Sequence, residues 1–215
     1  MKKVRLGCEV FFDGLPSWFA EKRIGLLANQ ASVDSSFCHT GSLIRAAGGN
    51  LCCLLSPQHG FGAEKQANMH ESGDSWSAEL GVPIFSLYGA IRQPTAQMLQ
   101  AIDVLVIDLQ DVGTRVYTYG ITMGLCLEMA AQVGSQVVIL DRPNPIGGVK
   151  IEGSLLGAEY RSFVGRYRVP MRHGLTMGEL ARLIVNEAKL EWDLTVVGMQ
   201  GGHRRNLFPE TGLSR

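Results

Sequence analysis

The chain has 215 residues, of which 46% are hydrophobic and 19% are charged, a composition that excludes a disordered or fibrous protein. Its 20 basic and 20 acidic residues cancel, so the sequence predicts neither a nucleic-acid partner nor a membrane-surface partner. No apolar run approaches the roughly 20 residues that span a bilayer, and no apolar leader segment follows the basic N-terminus, so we expect a cytoplasmic protein.

Short apolar runs alternate with segments of helical periodicity. The predicted strands cover residues 24–28, 51–55, 82–87, 104–107, 137–140 and 194–197. The predicted helices cover residues 42–47, 95–102 and 118–132, and a last one follows a capping box at 176–179. A Gly-rich stretch at 58–81 has no clear period. This alternation predicts an α/β fold, a Rossmann-like, doubly wound and mostly parallel sheet with helices on both faces, over residues 1–215.

Several common site motifs are missing. The chain has no GxGxxG after its first strand, no GxxxxGK[ST] and no GxSxG, which argues against a dinucleotide site, a P-loop and an α/β-hydrolase elbow. The five cysteines have no CxxC or framework spacing, so we expect buried thiols rather than disulfides or a zinc site. The main prediction includes no cofactor and no metal.

Polar residues follow four of the predicted strands. These strand-end residues are Asn29 after the first strand, Gln58, His59 and Glu64 after the second, Asp111, Arg115 and Tyr117 after the fourth, and Asp141, Arg142 and Asn144 after the fifth. Because the carboxyl ends of parallel strands meet at one edge of a sheet, where ligands bind in such folds, we expect these residues to share a site.

The predicted roles follow from residue chemistry, and each has a structural alternative. His59 could move a proton and Glu64 could act as an acid or base, or both could belong to a solvated surface loop. Arg115 could bind a ligand carboxylate, or it could pair with Asp108 or Asp111. Tyr117 and Tyr119 could stack on a sugar or form hydrogen bonds with it.

Three further candidates lie outside the strand ends. Glu128, in an otherwise apolar helix, is either buried with a raised pKa or solvent-facing, and its helical neighbours Gly124 and Gln132 favour the solvent-facing alternative. Glu152 and His173 could contribute ligand contacts at the same edge.

Several segments together resemble one family. Residues 56–61 (SPQHGF), 86–89 (SLYG), 108–118, 140–145 and 172–180 (RHGLTMGEL) are similar to those of the NamZ-type exo-β-N-acetylmuramidases. The resemblance runs from Gly7 to Leu213. It implies a Rossmann-like N-terminal domain followed by a smaller C-terminal domain, which we expect to be absent from this chain. It also implies release of N-acetylmuramic acid from the non-reducing end of peptidoglycan fragments.

The resemblance sharpens the predicted roles. Glu64 would be the acid/base candidate, with Glu128 or Asp111 as the second carboxylate that glycoside hydrolysis requires. Arg115 would suit the lactyl carboxylate of muramic acid. The expected partner is a small sugar or muropeptide, with a homodimer as a further possibility.

Gln58 stands where many members of that family have Glu, which an acid catalyst would need. Two alternatives therefore stay open: a sugar-binding relative with impaired catalysis, and a metal-assisted hydrolase that uses His59, Asp108 and Asp111.

Overall fold

The protein is described from a computed structural model, which covers residues 3–62, 73–190 and 194–213. The strands are β1 (Arg23–Ala28), β2 (Asn50–Ser56), β3 (Ser75–Ser77), β4 (Val82–Ser86), β5 (Val104–Asp108), β6 (Gln136–Leu140) and β7 (Leu194–Val197). The helices are α1 (Gly7–Asp13), α2 (Thr40–Ala46), α3 (Ala96–Gln100), α4 (Tyr119–Val133) and α5 (Met177–Glu187), with 3₁₀ turns at Ala158–Tyr160 and Phe208–Thr211.

These strands form one sheet in the order β3-β4-β2-β1-β5-β6-β7. All neighbours pair in parallel except β3, which runs antiparallel to β4 at one edge. From β1 the chain winds outward through β2 to β4, and it then returns to β5 and winds the other way through β6 to β7. The predicted Rossmann-like, doubly wound sheet is therefore confirmed. Its topological switch point lies between the carboxyl ends of β1 and β5.

Helices cover both faces of the sheet because its central strands are apolar on both sides. Leu27 and Ile107 belong to one hydrophobic core, which includes Met123 of α4 and Leu180 of α5. The other core contains Leu26, Val106 and Val138, and it packs against Phe11 of α1 and Ile44 of α2. Adjacent residues of one strand thus enter opposite cores, as the two-residue period of a strand requires.

Two elements depart from the sequence-based expectation. The predicted elements do not include α1, which begins at Gly7. A Cβ at Gly7 would lie 2.3 Å from the Asp141 backbone N, so only glycine lets α1 approach β6 this closely. The edge strand β3 falls in the segment without a period, because three residues are too few to show one.

Within the described ranges, no helix is both long and apolar enough to cross a bilayer.

Candidate active site

The loops that follow β1, β2, β5 and β6 are joined by hydrogen bonds along one edge of the sheet. The Asn29 Nδ2 donates to the Gln110 carbonyl oxygen at 3.1 Å, and the Gln110 Nε2 donates to the Pro143 carbonyl oxygen at 3.1 Å. The Thr118 hydroxyl donates to the Gln58 Oε1 at 2.8 Å. The structure therefore brings the four predicted strand-end loops together around the switch point.

Three of the hollows on the described surface include residues of this edge in their lining. One has a volume of about 500 Å³ and combines the polar side chains of Gln30, Gln110 and Arg142 with the apolar Phe37 and Phe208. A second has room for about one water molecule, at roughly 20 Å³, and its lining includes Asp111, Arg115, Tyr117 and His173. A third, of about 340 Å³, has Asp141 and Asn144 in its lining. The sequence-predicted residues are thus divided among separate hollows.

Asn29 is buried and holds the loop after β1 in place. Its Oδ1 accepts hydrogen bonds from the Ala31 N–H at 3.0 Å and the Ser32 hydroxyl at 3.2 Å, while its Nδ2 donates to Gln110. With both ends of the amide engaged, Asn29 shapes the edge of the site rather than presenting free hydrogen-bonding groups to it.

The Asp111 carboxylate anchors the start of α4. It accepts hydrogen bonds from the backbone N–H groups of Val112, Gly113 and Gly120, the last at 3.1 Å. Burial raises the pKa of this carboxyl group, against the opposing effect of the three N–H donors. A carboxyl group with a raised pKa suits acid/base chemistry, but here both oxygens also fix the loop geometry.

Glu128 lies away from this edge. It stands nine residues after Tyr119, about 13 Å further along α4 at 1.5 Å per residue. Its carboxylate forms an ion pair with Arg166 at 2.5 Å and accepts a hydrogen bond from the Tyr167 hydroxyl at 3.0 Å. The Glu128 side chain is 23% exposed, so it faces solvent only in part, while Tyr167 packs on Gly124 and covers the neighbouring part of that helix face.

Arg142 and Asp108 form a buried ion pair. The Arg142 Nη2 donates to the Asp108 Oδ2 at 2.8 Å and to the Val33 carbonyl oxygen at 2.8 Å, and the Nε also donates to Asp108. The Thr40 hydroxyl donates to the same carboxylate. Arg142 is thus a structural cation rather than a free ligand contact, and Asp108 is unsuited to binding a metal ion. Among the residues that can be described, no group of three potential metal ligands occurs.

Arg115 binds backbone oxygens in place of the predicted carboxylates. Its Nη1 donates to the Ser154 carbonyl oxygen at 3.0 Å and to the Val169 carbonyl oxygen at 2.8 Å. Residues 152–172 form a loop whose ends meet in paired backbone hydrogen bonds between Glu152 and Arg172. Arg115 therefore clasps the base of this loop, and no pair with Asp108 or Asp111 forms.

Asp141 and Asn144 fix the start of α5. The Asp141 carboxylate accepts from the Gly178 N–H at 2.8 Å and the Thr176 hydroxyl at 2.9 Å, and burial raises its pKa. The Asn144 Nδ2 donates to the Leu175 carbonyl oxygen at 2.9 Å. Both side chains lie at the predicted edge, where they are engaged in loop structure.

Glu152 and His173 differ in exposure. The exposed Glu152 carboxylate pairs with Arg172 at 2.7 Å, and the hydrogen bond from Arg172 lowers its pKa. His173 is buried, and its Nδ1 accepts from the Leu175 N–H at 3.1 Å, so the neutral ring carries its proton on Nε2. Burial lowers the pKa of His173 and keeps it neutral.

Two residues beyond the predicted set, His39 and Thr118, reach the switch point, as does the predicted Tyr119. The His39 ring lies 4.8 Å from that of Phe61, its Nε2 is 3.2 Å from the Asn29 carbonyl oxygen, and burial lowers its pKa. The Tyr119 hydroxyl interacts with the side chains of Gln30 and Asn29, and burial raises its pKa to about 12. Thr118 bonds to Gln58. The predicted start of a helix at residue 118 could have drawn attention to Thr118, whereas no pattern in the sequence marks His39.

The remaining predicted residues are His59 and Glu64, after β2, and Tyr117, after β5. His59 is half-buried with a left-handed backbone, φ 78°, next to Gly60. Tyr117 is partly exposed, with its ring packed edge-on against Tyr119 at 5.2 Å. Glu64 lies outside the described residues, so its predicted role stays a prediction.

Comparison with known proteins agrees with this arrangement. A family model described as "Exo-beta-N-acetylmuramidase NamZ, N-terminal" matches residues 24–215. The peptidoglycan beta-N-acetylmuramidase NamZ of Bacillus subtilis (strain 168) is 42% identical over 212 residues, covering 98% of this chain and 51% of the relative. This chain thus spans about half the length of that relative.

Two crystal structures of DUF1343 family proteins from Bacteroides fragilis NCTC 9343 have the same fold. One superposes with a TM-score of 0.90 at 39% identity, covering 99% of this chain and 54% of the other. The second has a TM-score of 0.81 at 30% identity and covers 96% and 54%. The chain therefore belongs to the NamZ exo-β-N-acetylmuramidase family and matches its N-terminal part.

Proposed function

We propose that this chain provides the Rossmann-like N-terminal domain of a glycosidase that releases N-acetylmuramic acid from the non-reducing end of peptidoglycan fragments. One observation carries the proposal: four strand-end loops meet at the switch point of the sheet in a chain that is 42% identical to a peptidoglycan muramidase. The substrate would be a sugar or a muropeptide.

The site can supply most of what a muramic acid unit needs. Amide groups of Gln30, Gln58 and Gln110 face the edge of the sheet, and the ring of Tyr117 is partly exposed for stacking. These features support binding of a sugar that carries hydroxyl groups.

Acid catalysis would come from Glu64 in this proposal. The two other candidate carboxylates are already engaged in the structure. Asp111 accepts hydrogen bonds from backbone N–H groups, and Glu128 accepts them from Arg166 and Tyr167. A release assay with a chromogenic N-acetylmuramic acid β-glycoside tests the proposal, comparing the unmodified protein with Glu64→Gln. We expect chromophore release by the former and at least a hundredfold loss in the variant, roughly the contribution of one acid/base group. No release by the unmodified full-length protein would overturn the enzymatic proposal.

Gln58 favours a second function, binding of the sugar without hydrolysis. Its amide cannot donate a catalytic proton, and its oxygen accepts a hydrogen bond from the Thr118 hydroxyl. Calorimetry with N-acetylmuramic acid separates the two: binding without release supports the sugar-binding function, and absence of binding contradicts both.

A further inference from the structure

Thr118, at the start of α4, does not form the hydrogen bond that is usual for a threonine in its position. Thr118 occupies the N-cap position, where a threonine oxygen ordinarily accepts a hydrogen bond from an amide of its own helix, but its side chain makes no such bond. Asp111 takes over that task by accepting from the Gly120 N–H at 3.1 Å. The Thr118 hydroxyl instead points to the loop after β2, where it donates to the Gln58 Oε1 at 2.8 Å.

This hydrogen bond determines which end of the Gln58 amide remains available. With its oxygen held by Thr118, the half-buried side chain offers the two N–H groups of Nε2. No described residue accepts from them. Gln110 has the opposite arrangement: its Nε2 donates to the carbonyl oxygens of Asp111 at 2.7 Å and Pro143 at 3.1 Å, which leaves its Oε1 available.

We propose that Thr118 is a positioning residue, which holds the Gln58 amide so that its N–H groups donate to an oxygen atom of the bound sugar. The identity of that sugar rests on the proposed function. The ligand must present an acceptor at this point, a hydroxyl, an acetamido carbonyl or a carboxylate oxygen. In this chain, position 58 is a hydrogen-bond donor that selects ligands with such an oxygen.

The first test measures binding of N-acetylmuramic acid by calorimetry to the full chain and to three variants: Thr118→Val, Thr118→Ser and Gln58→Met. We expect Thr118→Val to weaken binding about two- to tenfold, because the amide loses its orientation. Thr118→Ser keeps the hydroxyl and should bind like the unmodified chain. The Thr118→Val/Gln58→Met double variant should bind no more weakly than Gln58→Met alone, because Thr118 acts through Gln58.

The second test needs no ligand. In ¹⁵N NMR spectra, Thr118→Val should shift the side-chain amide signals of Gln58. The side-chain signals of Gln110 should stay in place, because backbone carbonyl groups hold that amide. Unchanged backbone signals outside the first turn of α4 would show that the variant is folded.

The outcomes separate this proposal from the proposed function. If the unmodified chain binds the sugar but Thr118→Val binds equally well, or if the two substitutions weaken binding additively, the positioning role is overturned and the function stands. If the unmodified chain does not bind the sugar, the proposed function and the ligand role of Gln58 both fall. Unshifted Gln58 signals in Thr118→Val would overturn the positioning role in either case.

Discussion

Two aspartates at the carboxyl end of β5 are both buried but have opposite environments. Asp108 faces the Arg142 guanidinium and the Thr40 hydroxyl, whereas Asp111 accepts hydrogen bonds from backbone N–H groups. Burying a carboxylate costs free energy, which a cation offsets at Asp108, while at Asp111 burial raises the pKa. Of the two, Asp111 retains acid/base potential.

The ion pair between Asp108 and Arg142 predicts a large mutational effect. Arg142→Met leaves an unpaired buried carboxylate, and we expect the free energy of unfolding to fall by about 3–5 kcal/mol. Denaturation with guanidinium chloride measures this change in the free energy of unfolding. Arg23→Met breaks the exposed pair with Asp103 and is the matched control, with a clearly smaller loss expected. Equal losses in the two variants would contradict the assigned importance of burial.

His173 predicts a dependence of stability on pH. Burial lowers its pKa below the ordinary value of 6.5, so as the pH falls the unfolded chain takes up a proton that the folded chain resists. The free energy of unfolding should therefore decrease below about pH 6.5. His173→Asn keeps an acceptor for the Leu175 N–H but cannot titrate. We expect its stability deficit relative to the unmodified chain to shrink between about pH 8 and pH 5 in denaturation curves. A constant deficit would exclude titration of His173.

At the scale of elements, α4 and α5 begin in similar ways. Each starts beside an aspartate that follows the preceding strand of the sheet, Asp111 for α4 and Asp141 for α5. In both cases the carboxylate accepts from the amide of the second helical residue, as an N-cap side chain would. Carboxylates that look catalytic in the sequence can therefore have a capping task, and sequence patterns do not distinguish the two.

The capping box of α5 allows a direct test. Thr176 accepts from the Glu179 N–H and donates to Asp141, so Thr176→Ala removes two hydrogen bonds at the start of the helix. We expect the free energy of unfolding to decrease by about 1–2 kcal/mol, measured by thermal or chemical denaturation. Arg182→Ala, on the exposed face of the same helix, should change stability by no more than about 0.5 kcal/mol. A loss at Thr176 no larger than at Arg182 would show that the cap is unimportant.

At the scale of the whole molecule, Gly7 allows the N-terminal helix α1 to pack against the ends of β6 and β7. Its N–H donates to the Asp141 carbonyl oxygen at 2.9 Å, and a Cβ there would lie 2.6 Å from the Val197 carbonyl oxygen. Gly7→Ala should thus push α1 away from β6 and β7 and cost about 2–3 kcal/mol of stability. Gly14→Ala is the control, because nothing lies within 4 Å of its added Cβ. Calorimetric unfolding of both variants provides the comparison, and a harmless Gly7→Ala would refute this packing.

The sheet was predictable because its central strands are continuous apolar runs, and their alternation with helices leaves few possible topologies. The convergence of Gln58, Asp111 and Asp141 on one edge followed from that topology. The partners did not, since hydrogen bonds such as Thr118 to Gln58 join residues 60 positions apart and leave no periodic signal. Arg115 shows the same limit, because the sequence cannot tell whether an arginine binds a ligand or a backbone carbonyl group.

The clasp of Arg115 across residues 152–172 has a consequence for dynamics. Because the two ends of that loop are joined to each other and to one guanidinium group, neither arm can detach without the other. Amide protons in both arms should then exchange with solvent deuterium as one cooperative unit, with a common opening free energy. Residues 152–172 would then open and close as one unit, and exchange would not begin separately at the middle of the loop.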